Sequence, residues 1–585
     1  MASNRFPPVK KLRPEAERRR RLVTRTLPLA AVAVASFVVG AAVGAPGSPE
    51  KDAAERFTRA WAAGRLEAMY GQLDADSRRA VSERAFRAAY READRAATLR
   101  SLSAGEPGDP RSRDGATVVP VPLTLETVAF GTLEATLELP VADGGIAWDP
   151  SLAFPGLRPG ERLRADTELP PRATILARDG TALAVGPAAA RRHPLGPAAI
   201  DVTGEVGPAP EDEQEALAAR GVPPGAPVGV SGLEKAFDAR LTGKPGGTLL
   251  AVPADGGEPR VLARSRPAPG APVHTTVDPD LQQAAVEALA GRAGGIAVLD
   301  ARSGEVRALA GQAFSAPQPP GSTFKLVTTA AALEKGIVDL DDRFEVTEGV
   351  HVGGRFIHNA NGELCGGSFR EAFAHSCNAV FAPLGPQVGN DDLVRTAELF
   401  GFNSPPTLYA ERYQRPMELP ESTIPRRIGA EIDLAVSAIG QGEVMATPLE
   451  MASVAQTIAA GGVRRPTALV RDRALRPRAR PVRVMPKGVA RLLTELMVGV
   501  VTEGTGYAAA IPEAQVAGKT GTAELGPKPG EEGSDNPVQI KDAWFAAFAP
   551  ARKPRLAIAV LLIEAEASGG EVAAPAAGSV LAAGL

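Results

Sequence analysis

Along this chain the spacing of apolar residues changes several times, and each change marks an element. Leu27 to Ala45 is an apolar run of 19 residues, roughly 28 Å as a helix and about the thickness of one bilayer core. From Ala53 to Ala97, Phe57, Trp61, Leu66, Met69 and Leu73 recur every three to five residues, which predicts helices with one buried face. Alternation takes over around Val118–Leu123 and Ala135–Leu139 and predicts strands. Asp179-Gly180 sits between two short apolar runs and predicts a strand–turn–strand. Asp278 before Pro279 predicts a capped helix start. Gly295–Leu299 and Val306–Ala310, joined by residues 300–304, predict a hairpin. Helical spacing then dominates up to Lys519. Strands are predicted again at Val516–Glu524, Ala543–Phe548 and Leu556–Ile563, and a short Ala-rich helix at Ala573–Leu585.

A chain of 585 residues is too long for one core. The breaks in pattern suggest a basic tail (1–26), a transmembrane anchor (27–45), an α+β domain (50–165), a Pro- and Gly-rich unit (166–275) and a large C-terminal domain (276–585). Lys10, Lys11, Arg13, Arg18, Arg19, Arg20, Arg21 and Arg25 precede the apolar run, so the tail is expected to stay cytoplasmic with everything after Ala45 outside. Val43-Gly44-Ala45 has the small residues of a signal-peptide cleavage site, but Pro46 follows it directly; a retained anchor is expected. The net charge of −3 argues against a nucleic-acid partner. Cys365 and Cys377 are the only cysteines. A disulfide and two separate buried thiols are both compatible with their positions.

Three short motifs carry chemistry. Ser322-Thr323-Phe324-Lys325 follows Pro319-Pro320-Gly321 and opens an apolar, helical stretch ending near Gly336. A helix N-terminus offers unpaired N–H groups to a serine oxygen as it loses its proton. Lys325, three residues on, shares the face of Ser322, and a lysine among apolar neighbours and other cations gives up its proton more easily. Ser376-Cys377-Asn378 and Lys519-Thr520-Gly521-Thr522 follow. Each motif alone has a bland reading: a capping serine with a surface lysine, a polar loop, a solvated edge strand.

Together and in order, S-x-x-K, S-x-N and K-T-G resemble the signature of active-serine penicillin-recognising enzymes. The chain resembles a class B penicillin-binding protein, a monofunctional D,D-transpeptidase. That resemblance implies a membrane-anchored, multidomain α+β chain. Its parts would be an NTF2-like domain at 50–165 acting as a spacer, a β-rich pedestal of the dimerisation type at 166–275, and a penicillin-recognising α/β sandwich at 276–585. Arg172–Ala184 and Gly232-Leu233-Glu234 resemble pedestal segments.

The resemblance also implies roles. Ser322 is the nucleophile and Lys325 its base. Ser376 relays a proton to the leaving amine, and Lys519 orients Ser376. Asn378 holds the substrate amide, Thr520 and Thr522 hold its terminal carboxylate, and Gly521 lets the substrate backbone approach. The N–H groups of Ser322 and Thr522 form the oxyanion hole. Gly440-Gln441-Gly442, Thr447-Pro448-Leu449 and Asp542-Ala543-Trp544-Phe545 resemble transpeptidase scaffold, with Gln441 the one polar candidate near the cleft.

Peptidoglycan stem peptides and β-lactams are the implied ligands, with proteins of an elongation or division complex as candidate partners. No cofactor or metal is implied. His351, His358 and His375 lack metal-ligand spacing, and the Arg-rich stretch 471–483 reads as a solvated connection. Two other functions fit the same motifs. One is a D,D-carboxypeptidase or β-lactamase, although no E-x-x-L-N run lies between the second and third motifs. The other is a non-catalytic β-lactam sensor or scaffold, although only 26 residues precede the apolar run.

Overall fold

A computed structural model of the chain describes residues 48–113, 115–410, 415–527 and 539–585. The apolar run Leu27–Ala45 lies outside the described residues, and among those described no helix is long and apolar enough to cross a membrane. The described chain divides into two units, one of residues 48–127, 131–165 and 249–263, the other of residues 128–130, 166–248 and 264–585.

In the first unit the helical stretch contains α1 (Pro49–Ala62) and α2 (Glu83–Ala97), with two shorter helices between them. Each of the two long helices is capped by a serine, Ser48 or Ser82, whose hydroxyl accepts an orphan N–H of the first turn. Strands β1 (Leu99–Ala104), β2 (Ala116–Thr127) and β3 (Thr132–Ala142) follow and pair antiparallel in that order. Phe86 of α2 packs between Tyr70, Tyr90 and Trp148 with ring centroids 4.9–5.7 Å apart.

In the second unit, residues 166–248 and 264–275 form short elements around a buried ion network. The Asp179-Gly180 turn joins Ile175–Leu176 to Ala182–Ala184. Arg172 donates to Glu234 at 2.6 Å, to Asp238 at 2.9 Å and to Thr242 at 2.8 Å. Arg191 donates to the other Glu234 oxygen at 2.7 Å. These side chains are almost fully buried, so each charge depends on its partner for solvation.

From residue 276 onward a five-stranded sheet lies between two helical layers. Helix α3 (Pro279–Leu289) starts at the Asp278 cap. Strands β4 (Gly294–Asp300) and β5 (Val306–Gly311) form the expected hairpin. Helices α4 (Lys325–Glu334), α5 (Phe369–Ala374), α6 (Asn378–Val388), α7 (Glu431–Ala438), α8 (Pro448–Ala459) and α9 (Lys487–Thr502) come next. Strands β6 (Ala517–Pro527), β7 (Gln539–Ala549) and β8 (Leu556–Ala565) return to the sheet, and α10 (Ala574–Gly584) ends the chain.

The strand order is β5-β4-β8-β7-β6, which leaves β6 at an edge. Alternate residues serve opposite layers. Ile296, Val298, Phe545, Ala547, Ile558 and Val560 pack with α3 and α10. Ala297, Leu299, Trp544, Ala546, Phe548, Ala559 and Leu561 pack with the inserted helices. One departure from the sequence reading lies in the helical insertion. Arg343–Thr347 pairs with Cys365–Ser368, and Gly349–Val352 with Arg355–His358. These strands are only four or five residues long, so the brief alternation at Arg343–Thr347 does not stand out in a largely helical stretch.

Removing Arg172 leaves Arg191 to hold Glu234 and takes one guanidinium from Asp238, both in a dry site. Arg172→Ala is expected to cost about 3–5 kcal/mol, seen as an earlier first transition in denaturant unfolding. An unchanged transition would mean that the network contributes little to this unit.

Candidate active site

Ser322 lies on a tight 3₁₀ turn, Gly321–Phe324, that feeds directly into α4. The α-helix proper therefore begins at Lys325, one turn later than the motif suggested. Every residue from Lys325 to Ala332 is buried, as expected of a helix that is apolar all round. Two glycines set the position of the turn. Gly321 has φ +50°, and a Cβ there would sit 2.7 Å from Thr522 O. Gly440, with φ +75°, would put a Cβ 2.1 Å from Gly321 O, and Gly440 O accepts the Gly321 N–H at 2.9 Å. The Gly440-Gln441-Gly442 segment is thus the floor of the nucleophile turn. Trp544 Nε1 donates to Pro319 O at 2.9 Å and ties the turn to β7.

Both lysines converge on one serine. Lys325 Nζ lies 2.7 Å from Ser376 O, 3.2 Å from Ser376 Oγ and 2.7 Å from Asn378 Oδ1. Lys519 Nζ, reaching from β6, donates to Ser376 Oγ at 2.8 Å and to Thr520 O at 3.1 Å. Phe381 lies beneath Lys325 and Phe373 beneath Lys519, with ring centroids 5.1 and 5.7 Å from the amines. Burial, reinforced by the charge of Lys519, holds Lys325 well below the ordinary lysine range. Burial alone brings Lys519 down to about 7.

Ser376 sits on the three-residue link between α5 and α6 at φ +62°, a left-handed conformation that costs a non-glycine residue free energy. It turns the Ser376 hydroxyl and carbonyl toward the lysines. Asn378 opens α6, so the i, i+2 pair does not have to share a regular helix. The Asn378 atom facing Lys325 is its oxygen, which accepts from the amine. Its nitrogen donates to His358 O at 2.9 Å. Cys377, between the two, is bonded to Cys365 with Cα atoms 5.5 Å apart. Of the two readings open for the cysteines, the bridge is the one found. It ties the link to the strand Cys365–Ser368 and turns the middle side chain of the motif away from the lysines.

On β6, Lys519 and Gly521 face the nucleophile turn, while Thr520 and Thr522 face the other way. A Cβ on Gly521 would meet Pro320 O at 2.8 Å and Thr323 N at 3.0 Å. On the side where a Cβ would point, the space left by this glycine is filled by the protein's own turn. Thr520 Oγ1 lies 2.6 Å from Thr505 Oγ1, and Thr522 Oγ1 accepts from Gly569 N at 3.3 Å. Accepting leaves the Thr522 proton free to donate. Thr505, Gly569 and Phe381 were not singled out in the sequence; Gly569-Gly570 beside a strand was the one available signal. His351 and His358 stack edge-on against Phe356.

Among the described residues, Ser322 Oγ has no hydrogen-bond partner. It is half-buried, on the turn that leads into Lys325. In this state Lys325 is held by Ser376 and Asn378, and no hydrogen bond joins it to Ser322. Such contacts are commonly loose before substrate binds. Chemically, the cluster combines an unbonded hydroxyl, an amine inclined to be neutral, and a second hydroxyl linked to both amines. These are the parts needed for acyl transfer through a covalent intermediate.

The chain matches the family model described as penicillin binding protein transpeptidase domain over residues 294–582. Residues 181–275 match the penicillin-binding protein dimerisation domain, and residues 49–161 the NTF2-like N-terminal transpeptidase domain. Peptidoglycan D,D-transpeptidase PbpA of Mycolicibacterium smegmatis is 33% identical over 420 residues, covering 61% of this chain and 79% of that protein. This chain belongs to the penicillin-binding D,D-transpeptidase family.

PbpA of Mycobacterium tuberculosis is 38% identical over 297 residues, 47% of this chain and 57% of that protein. The solved penicillin G acyl-enzyme complex of penicillin-binding protein A from M. tuberculosis aligns with a TM-score of 0.54 at 28% identity. It covers 71% of this chain and 99% of that one. As a member of this family the chain is a multidomain serine-type transpeptidase with an NTF2-like N-terminal domain.

The close fit of the nucleophile turn yields a test. Gly440→Ala adds a methyl group where Gly321 O already lies and strains a left-handed backbone. Penicillin acylation is expected to fall by at least about tenfold, in line with the effect of small misplacements at a reacting centre. Circular dichroism should stay native. Wild-type acylation by this variant would remove the packing argument.

Proposed function

We propose that the enzyme cross-links peptidoglycan stem peptides through an acyl-enzyme on Ser322. The reading is carried by the meeting of both lysine amines at Ser376, beside a serine hydroxyl without a partner. Lys325, neutral when it acts, takes the Ser322 proton as Oγ bonds to the carbonyl carbon of a D-Ala–D-Ala peptide. The C–N bond then breaks. D-Ala leaves with a proton passed from Lys325 through Ser376, whose hydroxyl Lys519 orients. In the second half an acceptor amine of another stem peptide attacks the ester carbonyl, gives its surplus proton to Lys325, and Ser322 regains its own.

The N–H groups of Ser322 and Thr522 hold the oxyanion, each such donor being worth roughly 10²–10³ in rate. Asn378 keeps one amide proton for the substrate, and Thr520 and Thr522 receive its terminal carboxylate. A β-lactam would enter as the substrate does and remain on Ser322. We further propose that Leu27–Ala45 anchors the chain to the cell membrane with the rest extracytoplasmic. The proposed domain limits are 50–165, 166–275 and 276–585. Elongation or division proteins are proposed as partners.

Fluorescent penicillin tests the nucleophile. Wild type is expected to carry one label on the tryptic peptide containing Ser322, and Ser322→Ala none; a label retained by the alanine variant would contradict the assignment. Acylation rate against pH tests the base. A depressed Lys325 pKa means that the neutral amine accumulates as pH rises, so the rate should climb with pH and level off far below the ordinary lysine range. It should fall again near pH 7 and above as Lys519 loses its charge. A profile that rises only near pH 10 would rule out Lys325 as the base.

A further inference from the structure

The Arg-rich stretch 471–483 is not absorbed by the transpeptidase reading, and the fold divides it. Arg471 donates to Arg178 O, Arg476 pairs with Glu305, and Arg483 donates to Gly461 O. Arg480 instead lines a cavity of about 150 Å³ together with Arg464, Arg465, Glu450, Ser453 and Gly401.

Among the described residues, none of these three guanidinium groups has a carboxylate within 4 Å, and Arg465 Nε is buried without a partner. Glu450, 8% exposed, has one oxygen, Oε1, buried and unbonded. Gly401 supplies the remaining observation. Its φ is +134°, and a Cβ there would lie 2.5 Å from Glu450 Oε1 and 2.6 Å from Arg464 Nη1. The two polar groups thus aim at the same space, which glycine keeps clear, yet they form no ion pair with each other.

We propose that this cavity binds one small oxyanion, a phosphate or a carboxylate group. Three cations line the cavity against a single carboxylate, and a bound anion offsets the charge that Glu450 leaves unbalanced. Arginine forks match the oxygens of either group. The volume admits one such group and a few waters, not a nucleotide. Glu450 fits an anion site only when protonated. Burial raises its pKa to about 7 against the opposing pull of Arg464, so below that pH its O–H donates to the bound oxygen instead of repelling it. The site is distinct from the Ser322 cluster, and the proposal stands independently of the transpeptidase chemistry.

Sodium sulfate, phosphate and acetate would be titrated into the whole protein by calorimetry, with chloride at matched ionic strength. Sulfate keeps a fixed charge from pH 6 to 8, so any change in its affinity belongs to the protein. Saturable binding of sulfate or phosphate assigns a phosphate-type ligand, and binding of acetate alone assigns a carboxylate. The double variant Arg464→Gln/Arg480→Gln should lose affinity by at least about tenfold while still labelling with penicillin, which shows that it folds. Wild-type affinity for sulfate should fall on the order of tenfold between pH 6 and pH 8, as the protonated fraction of Glu450 falls. Glu450→Gln should bind at both pH values with that dependence gone. The proposal is overturned if no anion binds below about 10 mM (an affinity weaker than roughly 3 kcal/mol), if the double variant binds as wild type does, or if Glu450→Gln abolishes binding.

Discussion

Two buried lysines share one serine hydroxyl, and the rest of the catalytic unit is arranged around that constraint. An ammonium removed from water is costly unless its protons find acceptors, and two of them at one oxygen also repel. Lys325 meets the cost with Ser376 O and Asn378 Oδ1, and Lys519 with Ser376 Oγ and Thr520 O. Those acceptors suffice for a neutral Lys325, which still has two protons for its two short bonds and keeps a lone pair. The Ser376 hydroxyl, accepting from Lys519, can then donate toward that lone pair. The same bonds that make burial tolerable form a route for a proton.

Holding this cluster requires three distant segments to meet closely, and each uses a backbone device. Glycine at 321, 440 and 521 allows backbone to pack where a Cβ would collide. The left-handed Ser376 turns its carbonyl and hydroxyl inward, and the Cys365–Cys377 bridge secures the adjacent residue. The edge position of β6 leaves one side of that strand unpaired for a peptide substrate to approach. Strain of this kind persists only where surrounding packing over-determines it. The sheet beneath, apolar on both faces, supplies that packing.

How much of this could be read beforehand follows from how locally each feature is encoded. The sheet strands were legible because Gly295–Leu299, Val306–Ala310 and Leu556–Ile563 are apolar runs of strand length. The site residues were legible because three short motifs, each weak alone, occur in one order on elements of the expected kind. The meeting of Lys325 and Lys519 on Ser376 was foreshadowed; the engagement of Thr520 by Thr505 was not, since a lone threonine after a helix has no distinguishing pattern. The strands between residues 343 and 368 escaped because each is only four or five residues long, so the alternation in Arg343–Thr347 is too brief to stand out. The cysteine pairing escaped because it depends on a Cα separation. Gly521 accommodates the protein's own turn, a contact its sequence position does not announce. A glycine signals that something comes close without saying what.

The protonation state of Lys325 bears most directly on this account. Lysine labelled with ¹³C at Cε and followed by NMR across pH, with Lys325→Arg and Lys519→Arg for assignment, measures it. The account predicts that the Lys325 resonance titrates far below the ordinary lysine range. A Lys325 resonance that stays protonated until pH 10, in a protein still acylated by penicillin, would contradict it.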